Sequence, residues 1–70
     1  MDSIIGHNIK ALIARKGVRQ GEIAVKARIR ESHLSDLVNG RSTHPSVWTC
    51  AKIAKALGCS IDDLVRMPKA

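Results

Sequence analysis

The sequence predicts an all-α fold, a single domain of five short helices, on three observations. Apolar residues recur at helical spacing in five separate segments, most of them bounded by a capping residue, glycine or proline. No stretch shows the apolar and polar alternation of a strand. The chain has 70 residues with one Trp and no Phe or Tyr, so the core must be built from Ile, Leu, Val and Ala. A domain of this length buries roughly 60% of the surface its unfolded chain exposes. Small aliphatic side chains then suit short helices that approach one another closely.

In the first helix, Ile5, Ile9, Leu12 and Ile13 follow the i, i+4, i+7, i+8 pattern of one face. Asp2 or Ser3 can cap its start, and Gly17 can end it. After the turn "GVR", the segment "QGEIAVKA" predicts a second helix of about two turns, with Ile23, Ala24 and Ala27 inward and Gln20 and Glu22 outward. "RIR" interrupts. "ESHLSDLVN" then resumes a helix with Leu34, Leu37 and Val38 on one face and Asn39-Gly40 as a left-handed C-terminal cap. "RSTHP" is a loop, because Pro45 disfavours helix at His44. Ser46 can cap a fourth helix whose Val47, Cys50, Ile53, Ala54 and Leu57 repeat at helical spacing up to Gly58. The fifth opens on "SIDD", where Ser60 and Asp63 have capping-box spacing. Ile61, Leu64 and Val65 are expected inward before Met67-Pro68 stops it. Repeats, low-complexity runs and linkers are lacking.

Twelve Lys and Arg stand against six Asp and Glu, a net charge of +6. The excess concentrates between Lys10 and Arg30, where seven basic residues accompany one acid, Glu22. Such a segment points to a polyanion, since phosphate neutralisation with counterion release supplies most non-specific nucleic-acid affinity; a solvated, solubilising surface is the alternative. "MDSIIGHNIK" lacks the basic start and apolar run of a signal peptide, and no stretch has the length of a membrane span, so a cytoplasmic protein is expected. Cys50 and Cys59 are expected as buried free thiols. With His7, His33 and His44 they form no metal-ligand spacing, and no cofactor or small-molecule ligand is expected. Nor does the chain carry a nucleophile and base pairing or a glycine-rich phosphate loop, so no enzymatic activity is expected.

The informative constellation is a short helix, a turn and a second short helix, preceded by one helix and followed by two. In a helix-turn-helix the first helix braces the second across the phosphate backbone, and the second offers its N-terminal half and exposed face to base edges in the major groove. Gly6 and Ile9 in the first helix, "QGEIA", "SHLSDLVNGR", Pro45 and "KIAKALGCSIDDL" occur in register over nearly the whole chain. In this series the sequence resembles the Cro and phage-repressor type, or Xre-like, helix-turn-helix family. The resemblance implies a five-helix lambda-repressor-like DNA-binding domain with the recognition helix at about 31–39. It also implies double-stranded DNA as partner and a homodimer formed through the fourth and fifth helices. Gln20 matches the residue that opens the first helix of the motif and commonly bonds a phosphate; an exposed first-turn amide is its plain alternative. Arg30, Glu31, Ser32, Ser35, Asp36 and Asn39 fall where family members contact bases or backbone. Arg41, Ser42 and Thr43 lie in the loop that often grips a phosphate, and His33 and His44 are surface residues placed to contact one.

Several positions depart from the family pattern. Arg28 stands where the turn usually has Gly, so either a non-glycine residue adopts positive φ at a cost on the order of 1 kcal/mol or the turn has another geometry. Arg19 and Arg30 replace the usual Ser or Thr N-caps and place cations near positive helix ends, which suits neighbouring phosphate; shifted helix starts are the alternative. Ile13 and Val38 occupy the places of a common Arg and Glu pair, and an apolar pair can replace buried ions without loss of stability. Trp48 lies one step off the core stripe of the fourth helix, as a partly buried edge residue or as a homodimer contact.

These features predict a sequence-specific regulator of transcription, a repressor of phage or bacterial type. The competing reading is a helical protein-interaction module, antitoxin-like or regulator-binding, that has lost DNA reading. Glu31 and Asp36, two carboxylates on the side that should face DNA, are its best evidence.

Overall fold

The computed structural model describes residues 4–42 and 45–66. These contain five α-helices: α1 (Ile4–Lys16), α2 (Gln20–Ala27), α3 (Glu31–Val38), α4 (Val47–Leu57) and α5 (Ile61–Val65). The expected cap at Asp2 or Ser3 and the stop at Met67-Pro68 lie outside the described residues.

Every helix supplies at least one fully buried side chain to a single core, namely Ile9, Ile23, Leu34 and Leu37, Ile53, and Leu64. Ile5, Leu12, Ile13 and Val38 pack around it, so the α1 face lies inward as expected, and Ile13 and Val38 each add to the core. α2 lies against α4 and α3, while α1 lies against α3 and α5. Ala24 and Ala27 are buried, which lets α2 pack closely. Gly6 matters for the same reason at another seam. A Cβ there would run into the backbone carbonyl oxygen of Leu37 and come within 3.1 Å of that of Val38, so α1 and the last turn of α3 meet nearly backbone to backbone.

Local signals explain most helix ends. The Ser46 hydroxyl accepts from the Thr49 backbone N–H at 3.1 Å, and Ser60 with Asp63 forms the full capping box. Those Ser60 hydrogen bonds hold the Asp63 carboxyl below the usual carboxylate range. Gly58 ends α4 in the left-handed region at φ 71°, where a side chain would be strained.

Burial departs from the expected pattern at several positions. Val47, the first residue of α4, is 72% exposed. Ile61 and Val65 are exposed, because a five-residue helix turns only one position, Leu64, fully inward. Trp48, at 78% exposure, is not an edge residue of the core. Cys50 is buried, but Cys59 is only partly so; both are free thiols, and burial is the main cause pushing each thiol pKa up.

The buried Asn8 is a feature the periodicity did not single out. Its amide nitrogen donates to the carbonyls of Leu64 at 2.8 Å and Arg66 at 2.7 Å, closing the C-terminal end of α5 from α1. A five-residue helix cannot satisfy its own last carbonyls, so α5 depends on this contact. Asn8→Ala should lower unfolding free energy in urea by about 1–3 kcal/mol, as expected for a buried acceptor left unpaired. An unchanged urea midpoint would mean that water replaces the amide.

Candidate nucleic-acid interface

The candidate surface starts from how α2 is joined to α3. α2 ends at Arg28, whose φ of 57° and ψ of 42° are left-handed; among the described residues it is the one non-glycine residue with positive φ. The next residue explains the strain. Ile29 donates its N–H to the Ala24 carbonyl at 3.0 Å and packs its side chain on the core, so the chain must reverse at Arg28. Arg19 and Arg30 are the true N-caps of α2 and α3, both extended and neither making a side-chain capping bond. Shifted helix starts are thereby excluded.

α3 buries Leu34 and Leu37 completely and turns Ser32, Ser35, Asp36 and Asn39 to the opposite side at i, i+3, i+4 and i+7. Ser32 and Asn39 are exposed, while Ser35, Asp36 and His33 are half-buried. Asn39 is the C-cap rather than part of the helix. Its amide nitrogen donates to the Ser35 carbonyl at 2.9 Å and lies 3.1 Å from the Ser35 hydroxyl, which leaves the amide oxygen of this exposed residue to accept. Gln20 is the first residue of α2 and is half-buried rather than fully outward. Arg30 and Arg41 are exposed at either end of α3. Thr43 and His44 lie outside the described residues.

The two carboxylates of the candidate face have different local settings. Glu31 opens α3 and folds over Gly21, where an added Cβ would lie 3.4 Å from its Oε1. It therefore stands beside the first turns of α2 and α3 together, where negative charge is favoured. Asp36 Oδ1 lies 3.4 Å from Nη1 of Arg41. Its backbone carbonyl also accepts from the N–H groups of Arg41 at 2.8 Å and Ser42 at 3.1 Å, which fastens the following loop to the helix.

The basic segment is shared among different places. Lys10, Arg15 and Lys16 are exposed on α1, whereas Lys26 and Arg28 meet Lys52 and Lys55 of α4 around a shallow depression of about 540 Å³. Lys52 and Lys55 were not singled out by sequence reasoning, although their i, i+3 spacing between apolar positions marks an exposed basic face. Among the described residues none of these four cations has an ion-pair partner.

A short brace, a reversal and a second helix with one apolar and one exposed polar face define the helix-turn-helix class. The family model described as Helix-turn-helix matches residues 9–64, and the chain belongs to that family. It is 32% identical over 62 residues to the HTH-type transcriptional regulator SinR of Bacillus subtilis (strain 168), covering 89% of this chain and 56% of that protein. The chain thus spans about half the length of the curated relatives it matches. The N-terminal DNA binding domain of SinR from Bacillus subtilis superposes with a TM-score of 0.87 at 30% identity, covering 96% of this chain and 97% of that one. SinR in complex with DNA gives 0.81 at 33% identity, with 86% and 95% covered.

Replacing Arg28 tests the turn. Arg28→Gly should raise stability by about 0.5–1 kcal/mol, the relief of left-handed strain less the entropy cost of an added glycine. A lower thermal midpoint would show instead that the arginine stem contributes packing.

Proposed function

We propose that this chain is a sequence-specific, double-stranded DNA-binding regulator of transcription, acting in the cytoplasm as a repressor and as a homodimer. The observation that carries the proposal is the division of α3. Two completely buried leucines fix the helix to the bundle, and its opposite side presents small polar side chains at the spacing of one groove-facing row. The existence of a SinR structure in complex with DNA supports the same use of this fold.

In this mechanism α3 enters the major groove while α2 crosses above it. Gln20, Arg30, Arg41 and Thr43 hold phosphates and fix the register, with His33 at the groove edge. Ser32, Ser35 and Asn39 address base edges. The amide oxygen of exposed Asn39, its nitrogen held by Ser35, is suited to accept from an exocyclic amine of adenine or cytosine. Occupancy of a site then blocks polymerase. A two-fold dimer sets two such helices about 34 Å apart on one face of the duplex. Exposed Trp48, with Val47 beside it, supplies a rigid apolar anchor for that contact. The carboxylates that favour a protein-interaction module have local accounts in Gly21 and Arg41, which weakens the case for it.

Selection of bound duplexes from a random pool should enrich one roughly palindromic sequence, with affinity falling steeply as salt rises. Ser32→Ala and Asn39→Ala should each relax preference at a base position by about 1–3 kcal/mol. Absence of enrichment together with affinity that is flat from low to physiological salt would overturn the proposal in favour of the interaction module.

Trp48→Ala should weaken self-association at least about tenfold, as for an aromatic anchor residue, measured by sedimentation equilibrium. An unchanged dimer constant would place the interface elsewhere.

A further inference from the structure

Asp36 sits at the centre of the candidate reading face, yet its carboxylate is directed along the protein surface to Arg41. The two groups of Asp36 have separable jobs. Its carbonyl ties down the loop through the N–H groups of Arg41 and Ser42, and this needs no particular side chain. Its carboxylate, with the side chain 45% exposed, lies beside a guanidinium that is 70% exposed, the cation that follows the recognition helix. Arg41 is thus joined to an internal anion on the surface where it would meet a phosphate.

We infer that Asp36 is a selectivity residue which occupies Arg41 in place of phosphate, so that DNA without the correct site is held weakly. The inference rests on the DNA-binding reading above. An exposed pair of this kind is weak in water, so a phosphate delivered in fixed register by base contacts can displace the carboxylate. A duplex that lacks those contacts places no phosphate there for long. Arg41 then stays beside its carboxylate, which offsets part of its attraction for the backbone and adds its own repulsion. The device costs affinity for all DNA and takes more of it from random sequence than from the cognate site.

The same geometry separates this role from base reading. A carboxylate that accepts from cytosine contributes on the selected site and nowhere else. A carboxylate that occupies Arg41 shows itself chiefly on random DNA and in the salt dependence.

The test compares wild type, Asp36→Asn, Arg41→Ala and the double variant across a potassium chloride series, using a random-sequence duplex and the duplex selected above. Asp36→Asn keeps shape and the backbone bonds, and circular dichroism checks its fold. It should tighten random-duplex binding about threefold, the effect of removing one carboxylate some 6 Å from a phosphate in water, and steepen the salt slope by up to about 0.9, one further phosphate neutralised. The ratio of selected to random affinity should narrow, and the gain should shrink when Arg41 is already Ala. Unchanged random-duplex affinity and slope would overturn the inference, as would a loss confined to the selected duplex, which would make Asp36 a base reader. Failure of the wild type to bind either duplex at any salt would instead overturn the DNA-binding reading itself, and the inference with it.

Discussion

The contact on which the rest of the structure depends is the near backbone-to-backbone approach of α1 to the last turn of α3 at Gly6. Leu34 and Leu37 decide that α3 is buried on one side. Gly6 decides how deeply its C-terminal end sits, since any side chain there would meet the Leu37 carbonyl. From that end the chain continues into the Asp36 carbonyl bonds and the Arg41 loop, so the position of the candidate phosphate contacts follows from one missing Cβ. Two residues further along, α1 also closes α5 through Asn8, which makes its N-terminal half the frame for both the candidate reading helix and the end of the bundle.

Arg28 shows how such a bundle bears strain. Ile29 must reach the core immediately after α2, and only a left-handed residue between them permits it. The side chain held there is a cation among three lysines, on a protein whose net charge is +6. The conformational cost is on the order of 1 kcal/mol, a sizeable fraction of the marginal stability of a small domain. The core nevertheless tolerates it, because all five helices contribute to one cluster.

The bounds of α2 and α3 were legible because their signals are local: the apolar rows of Ile23, Ala24, Ala27 and of Leu34, Leu37, and the breaks at Arg28 and Gly40. The capping box at Ser60 and Asp63 was legible for the same reason. Val47, Ile61 and Val65 were misjudged because helical spacing gives a direction but not how far the core extends, and each lies at or near the end of its helix. Asn8 escaped notice because its partners lie 56 and 58 residues away, beyond any periodic pattern. The candidate DNA face was legible as a set of positions. How Glu31, Asp36 and Asn39 are internally engaged was not, because that depends on where α2 and the Arg41 loop fold back against α3. Side-chain chemistry alone set two acids against DNA binding, whereas the fold pairs Asp36 with Arg41 and lays Glu31 over Gly21 beside the first turn of α2.

The central claim is that the polar row of α3 is the surface that meets DNA. The most direct measurement is the amide spectrum of the protein by NMR as a duplex from the random-pool selection is added at low salt. The account predicts that the largest shifts fall at Gln20 and Gly21, from Ser32 to Asn39, and at Arg41 and Ser42. Shifts confined to α4 and α5, with Ser32 to Asn39 unmoved, would contradict it.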